Sequence, residues 1–313
     1  MQASKEFLHI KIAEWFSLNQ RELPWRQTRN PYFIMISEFM LQQTQVSRVI
    51  PKFIDFIEKF PTLEFLSQSN ASEVIRSWSG LGYNKRAINL LRSAKMIIDE
   101  FKGEFPNDIK NLCLLPGVGE YTASAIICFA FEKAVPVIDI NVNRVLERLI
   151  LGSDIRLPVK TQKEIALQYL NHEDPWTWNQ GIMEFGALVC KNIPDCFNCV
   201  FNTVCASPLN RTKIYYEEEK ITKPKLQIEN KNTPFIQSDR YFRGQLIKFL
   251  SLAIEDEWIS FEDAYEYIKR MDNSFDQEKL EILLDKLNFE GLIQFSDIKS
   301  EKTIKTLSFR LPK

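Results

Sequence analysis

Residues 115–126 read LPGVGEYTASAI and follow the helical pattern NDIKNLCL. Gly117 and Gly119 bracket one valine, Val118, so the backbone there can take conformations and close approaches that a Cβ forbids. The residues after Gly119 have a helical pattern, and the first turn of a helix offers unpaired N–H groups that favour an anion. A helix, a glycine hairpin and a second helix can thus grip a phosphate with backbone alone. Gly117, Val118 and Gly119 become candidate DNA contacts. A glycine turn between helices is also an ordinary connector, so its surroundings decide the reading.

Those surroundings are helical. From residue 5 to about 210 apolar residues recur every three to four positions, with breaks at LPWRQTRNPY, SQSNAS, GLGYN, GEFPND and NHEDPW, and strand alternation does not recur. This predicts an all-α domain over 1–210. The stretch RTKIYYEEEKITKPKLQIENKNTP, within 211–236, is charged, poor in large aliphatics and holds two prolines; it reads as a linker. The segment 237–313 reads as helices over 240–253, 261–270 and 276–289 followed by a two-stranded ribbon. That order is winged-helix-like, a small α+β appendage. From residue 231 onward there are 13 basic and 15 acidic side chains, a balance that points to a protein partner for this module at least as readily as to DNA.

The bulk numbers exclude little. The 313 residues are 45% hydrophobic and 26% charged with a formal net charge of −1, as in ordinary soluble domains. No run approaches the ~18 to 20 apolar residues of a membrane span, and MQASKEFLHIKIAEW lacks a signal-peptide core. The expectation is a cytoplasmic monomer, nucleoid-associated in a prokaryote, whose binding of nucleic acid would rest on a local face. Only His9 and His172 are available, which argues against a histidine-based catalytic or zinc centre; both are expected on the surface. Cys113 and Cys128 sit singly in apolar helical patterns and are expected in the core.

Three further features carry chemistry. In VPVIDINVNRVLERLI, Asp139 interrupts an apolar run just before a helix. That is an N-cap position, and a carboxylate fixed there can also stabilise a cationic sugar as a glycosidic bond breaks. Asn141 is placed to orient it. The cysteines Cys190, Cys196, Cys199 and Cys205 fall within one short stretch, a close pair flanked by single residues. Structural zinc prefers two close pairs, whereas this spacing suits one compact loop around a [4Fe–4S] cube; zinc is the alternative. Finally, YFIMISEFMLQQ over 32–43 contains a single carboxyl group, Glu38, among Ile34, Met35, Ile36, Phe39, Met40 and Leu41. Such surroundings disfavour the charged form. A glutamate there is either paired, for example with Arg26, or kept as a proton donor.

The segments LPWRQTRNPY, SEFMLQQTQV, WSGLGYNKRAINL, LPGVGEYTASAI, VIDINVNRVLERL and the cysteine loop occur in this order over roughly residues 20–206. Together they resemble the helix-hairpin-helix DNA glycosylases of the endonuclease III superfamily, and within it most the MutY-type adenine glycosylases. The resemblance implies a six-helix barrel with an iron–sulfur subdomain and a [4Fe–4S] cluster held at 190–205. It implies double-stranded DNA carrying adenine opposite 8-oxoguanine or guanine as substrate. By it Glu38 protonates the flipped adenine, Asp139 stabilises the sugar cation with Asn141 beside it, and Gln43 and Tyr83 wedge into the duplex. Lys85 and Arg86 are expected as phosphate contacts. Tyr121 stands where bifunctional relatives carry a Schiff-base lysine, so the implied enzyme is monofunctional.

Three departures accompany the match. Position 140 is isoleucine where the adenine enzymes usually have glycine, the first cysteine interval is one residue short, and 237–313 does not resemble their β-rich 8-oxoguanine-reading domain. Two other functions fit parts of the pattern: a thymine or uracil glycosylase acting on mismatches with guanine, and a catalytically silent DNA-binding module.

Overall fold

The computed structural model describes residues 4–152, 157–207, 236, 238–254, 256–296 and 304–313. In chain order its helices are α1 (Lys5–Asn19), α2 (Pro31–Leu41), α3 (Val46–Lys59), α4 (Leu63–Gln68), α5 (Ala71–Ser77) and α6 (Lys85–Phe101). There follow α7 (Ile109–Leu112), α8 (Glu120–Phe131), α9 (Ile140–Leu146), α10 (Val159–Gln168), α11 (Pro175–Leu188) and α12 (Asp239–Leu252). Strand β1 (Ile259–Ser260) leads into α13 (Phe261–Lys269) and α14 (Gln277–Phe289), and β2 (Gln294–Phe295) and β3 (Ser308–Arg310) close the chain. Eight of the described helices start where a side chain accepts from their first turn. Ser4, Thr62, Asp108, Asp139, Asp174, Ser238, Ser260 and Asp276 all do so, satisfying N–H groups that have no partner inside the helix.

The all-α reading of the first two hundred residues holds, and so does the winged-helix order of the last eighty. The ribbon of β2 and β3 gains a third strand, giving the antiparallel order β1-β3-β2 in which Phe309 faces both Ile259 and Phe295. Two residues are too short a run for alternation to reveal β1 in sequence. The expected linker at 211–236 lies outside the described residues except for Ile236. Among the described residues no helix is long and apolar enough to cross a membrane.

Backbone contacts divide the chain into two compact units. The first comprises the described residues within Met1–Met35, Asn107–Leu114 and Val118–Ile228. Its core joins Leu8, Ile12 and Phe16 of α1 to Val145 and Leu146 of α9 and to Ile182 and Phe185 of α11. A charged pin crosses its edge. Glu184, with a side chain 1% exposed, accepts from Nε and Nη2 of Arg21 at 2.6 and 2.8 Å and from Nη2 of Arg26 at 2.8 Å. Arg26 also donates to Gln180 and to the Arg21 carbonyl. Cys128 is buried as expected, while Cys113 is exposed, because it caps the four-residue α7 instead of facing inward. His172 is exposed, but His9 is half-buried with its ring edge against Trp178.

The second unit comprises the described residues within Ile36–Pro106, Leu115–Gly117 and Glu229–Lys313. Phe53, Phe56, Phe60 and Trp78 from α3 and the end of α5 are fully buried. A second apolar cluster joins Ile75 of α5 and Ile88 of α6 to Phe242, Leu246 and Leu250 of α12 and to Leu283, Leu284 and Leu287 of α14. The C-terminal module therefore shares its core with α5 and α6. Polar ties reinforce this: Arg76 donates to the carbonyls of Ser251 and Ala253, and the Ser72 N–H to that of Pro312.

The Glu184 pin gives a pH dependence. Burial alone would raise its carboxyl, but the bonds from Arg21 and Arg26 overcome it and hold the group at about 2, below its ordinary 4.5. A depressed carboxylate contributes stability that is complete above 4.5 and lost as pH falls toward 2. Relative to Glu184→Gln, the wild-type chain should unfold at higher urea concentration at pH 7, by up to about 3 kcal/mol. Urea titrations from pH 7 to pH 2 should show that advantage fading below 4.5.

Candidate functional site

Asp139 caps α9 with its own carboxylate. Oδ1 accepts from the N–H groups of Asn141 and Val142 at 2.8 and 2.7 Å, and Oδ2 from Nδ2 of Asn141 at 3.0 Å. Burial pushes the Asp139 carboxyl above its ordinary value against the pull of these bonds. Asn141 is held in turn, because Nη2 of Arg144 donates to its Oδ1 at 2.7 Å and to the Gly186 carbonyl at 2.8 Å. A Cβ at Gly186 would stand 2.7 Å from that of Asn141, so only glycine lets α11 come this close to the cap. Ile140, the departure from the family pattern, is 72% exposed. Tyr121 lies in the first turn of α8, whose N-cap is Gly119.

Arg144 connects this carboxylate to the cysteine loop, donating from Nε to the Cys190 carbonyl at 2.8 Å. Cys190, Cys196, Cys199 and Cys205 line one cavity together with Arg148 and Pro194. All four are free thiols. Burial pushes Cys190 and Cys205 up and Cys199 up to about 12, so thiolates there call for a cationic partner. Arg148 reaches Cys190 Sγ at 3.8 Å and the Lys191 carbonyl. Among the described residues no three His, Cys, Asp or Glu side chains close on a point that would hold a single metal ion. The four thiols share one cavity.

Apart from Val118 and Gly119, which belong to the first unit, the other candidates lie in the second. Glu38 lies in α2 and is 6% exposed, next to Phe39 and Met40 at 0%. Arg26 donates to Glu184, to Gln180 and to the Arg21 carbonyl. Gly117 has φ +82°, and a Cβ there would meet Asn89 and Phe39 at 2.9 to 3.0 Å, so conformation and space both demand glycine. The carbonyl of Pro116 accepts from Ser93 at 2.9 Å and that of Gly117 from Gln42 at 3.4 Å. Val118 buries its side chain while Gly117 and Gly119 stay exposed; what the hairpin presents outward is backbone.

Gln43 and Tyr83 both have positive φ, 55° and 48°. Non-glycine residues rarely adopt this region, and for a bulky aromatic it stores strain that surrounding structure must enforce. With exposed Lys85 they line one groove of about 880 Å³. Sequence reading missed Arg240, whose guanidinium lies 4.0 Å above the Tyr83 ring; its partner is some 160 residues away in the chain.

Arg86 is a correction. Expected at a phosphate, it is buried, donating to the carbonyls of Phe39, Met40, Gln42, Leu81 and Gly82 and to Oγ1 of Thr44 at 2.6 to 3.2 Å. Its donors are spent on backbone at the end of α2 and in the turn before α6, leaving none to offer DNA. Burial lowers its pKa to about 10, so it remains charged at neutral pH.

Residues 36–168 match the model of the HhH-GPD superfamily base excision DNA repair proteins. That stretch is similar to the domain of this superfamily. Glu38, the glycine hairpin and Asp139 all lie inside it, and the four cysteines follow it. The chain is 36% identical over 227 residues to the adenine DNA glycosylase of Buchnera aphidicola subsp. Schizaphis graminum, covering 71% of this chain and 65% of that protein. It is 38% identical over 207 residues to the human adenine DNA glycosylase, covering 62% of this chain and 38% of that one. The chain thus spans less than two thirds of the length of these relatives. Among solved structures, a thermostable thymine-DNA glycosylase superposes with a TM-score of 0.61 at 29% identity, over 68% of this chain and 97% of that one. A non-covalent endonuclease III–DNA complex gives 0.57 at 24% identity over 71% and 100%, a likeness of fold.

Replacing Arg86 tests its assignment inside this stretch. Arg86→Ala strands several buried carbonyls and should cost about 3 kcal/mol or more. Urea unfolding should show a lower midpoint with an unchanged slope, whereas Lys85→Ala should leave the midpoint in place.

Proposed function

We propose that the chain is a monofunctional DNA glycosylase that excises adenine lying opposite guanine or 8-oxoguanine in duplex DNA. The observation that carries this reading is Glu38: an acid 6% exposed among apolar side chains of α2, in a stretch similar to the HhH-GPD domain and a chain 36–39% identical to adenine DNA glycosylases. Adenine leaves poorly as an anion, and a carboxyl group shielded from water can hold the proton that makes it a better leaving group. As the N-glycosidic bond breaks, positive charge develops on the sugar. The Asp139 carboxylate, fixed by Asn141 and the first N–H groups of α9, stabilises that charge until water adds and an abasic site remains. Tyr121 offers no amine for a Schiff base, so strand cleavage does not follow.

Gln43, Tyr83 and Lys85, with the backbone of the 117–119 hairpin, would hold the opened duplex. Flipping a base costs a few kcal/mol of stacking, which inserted side chains restore in part. The likeness to a thymine-DNA glycosylase keeps T·G excision as the second reading, and Glu38 within SEFMLQQT favours adenine.

Cys190, Cys196, Cys199 and Cys205 fit an iron–sulfur cluster: four thiols on one cavity, two arginines alongside, and burial that leaves thiolates dependent on a cation. A [4Fe–4S] cube bound there would cross-link the loop after α11. Zinc, which prefers two close cysteine pairs, is the second reading for this spacing. Anaerobically purified protein should contain roughly four iron and four sulfide per chain, and Cys199→Ser should lower both together with the melting temperature. Zinc at one per chain with no sulfide would reverse the assignment.

Base release from A·8-oxoG, A·G, T·G and U·G duplexes tests the substrate. Adenine should be released, Glu38→Gln should lose excision by at least about a hundredfold while still binding duplex, and T·G release surpassing A·8-oxoG would overturn the reading. Asp139→Asn should also abolish excision, yet its stability at pH 7 should be equal or higher. Asparagine caps a helix as well as aspartate does, and it removes a charge that burial disfavours.

A further inference from the structure

We propose that α12, the first helix of the C-terminal module, is a wall of the DNA groove and binds phosphates of the duplex beside the extruded base. The proposal rests on the glycosylase reading above. Its starting point is an asymmetry that the module's nearly balanced charge conceals.

Positions 240, 243, 247 and 248 recur at helical spacing and put Arg240, Arg243 and Lys248 on the face of α12 that lines the groove. Arg48 and Lys85 line the groove as well. Its two acidic lining residues are already engaged: Glu290 with Arg243, and Asp239 with Lys279 and Lys286 at 3.9 and 3.6 Å. Arg48, Lys85 and Lys248 are exposed and enter no ion pair with any described residue. The concavity therefore presents cations beside the strained, half-exposed Tyr83 and Gln43. That combination of cationic wall and aromatic tip matches a phosphodiester chain with unstacked bases, and no small ligand needs about 880 Å³ of open groove.

Two further observations support α12 in this role. The helix is held against the segment that carries Tyr83, through the core shared by Ile75, Ile88, Phe242 and Leu246 and through Arg76 at its C-terminal end. Arg240 is thereby fixed over the Tyr83 ring, a preformed arrangement. Gly244 sits mid-helix on the same groove, although a Cβ there would meet nothing within 4 Å. Glycine costs a helix interior about 1 kcal/mol against alanine, and packing within the chain gives no reason for it. A partner approaching the helix backbone does.

The test is the salt dependence of binding to an A·8-oxoG duplex by the full chain, followed by fluorescence anisotropy between 50 and 200 mM salt. Each phosphate contact contributes about 0.9 to the slope of log K against log salt. Arg240→Ala/Lys248→Ala should flatten the slope by about 1.8, so that the variant loses about twelvefold less affinity than wild type over that range. Lys248→Ala alone removes an exposed side chain on which folding does not depend, and should flatten it by about 0.9. Arg270→Ala, in the same module but away from the groove, should match wild type. If both α12 variants keep the wild-type slope and affinity while Lys85→Ala weakens binding, the wall is not a DNA surface and the proposal falls. If the wild-type chain binds no duplex at all, the glycosylase reading fails instead.

Discussion

A single buried guanidinium holds together the two turns of the second unit that carry Gln43 and Tyr83. The last carbonyls of α2 have no partner inside their own helix, and Arg86 supplies one for those of Phe39 and Met40 while also reaching Gln42, Leu81 and Gly82. One end of this bridge lies next to Glu38 and Gln43, the other next to Tyr83. Both Gln43 and Tyr83 occupy left-handed backbone, a conformation that relaxes unless neighbouring structure enforces it. The charge is costly to bury, as its lowered pKa shows, and its many acceptors offset that cost. A lysine could not reproduce this, because its point charge cannot fan out to two separate segments.

The first unit is organised by a chain of polar contacts with the same logic. Asp139 satisfies the start of α9, Asn141 holds Asp139, Arg144 holds Asn141, and the far side of Arg144 reaches Cys190. The cysteine loop and the carboxylate are thus mechanically linked over a few residues. Anything that orders the loop also orders the carboxylate. A cluster bound at the four cysteines would therefore have a structural consequence for Asp139 without taking part in chemistry.

Much of this was legible from local pattern. The C-terminal helices expected over 240–253, 261–270 and 276–289 are found at Asp239–Leu252, Phe261–Lys269 and Gln277–Phe289. Apolar periodicity and the caps Ser238, Ser260 and Asp276 are encoded within a few residues of each boundary. Asp139 as a cap was readable for the same reason. What stayed hidden depends on distant partners. Arg86 looks like a surface cation after GLGYN, and only the fold brings some forty residues of sequence back to bury it. Cys113 looks like a core residue, but the helix it belongs to is too short to turn it inward. Arg240 and Tyr83 meet across a separation that no periodicity can report.

The net charge of the C-terminal module illustrates the same limit in electrostatics. A sum over residues treats every charge as equivalent, whereas a polyanion responds to the field within about a Debye length, roughly 8 to 10 Å in physiological salt. Acidic residues engaged with lysines and arginines, such as Asp239 and Glu290, contribute little net field on the groove. Cations outside such pairs, such as Lys248 and Lys85, contribute fully. A module can therefore be acidic overall and still present one helix face that attracts phosphate. The core that α12 shares with α5 and α6 makes that face part of the same solid body as Tyr83, so its cations need no separate ordering when a duplex arrives. Preorganisation of this kind is what lets a small number of contacts count, since the entropy of placing them is lost on folding instead of on binding.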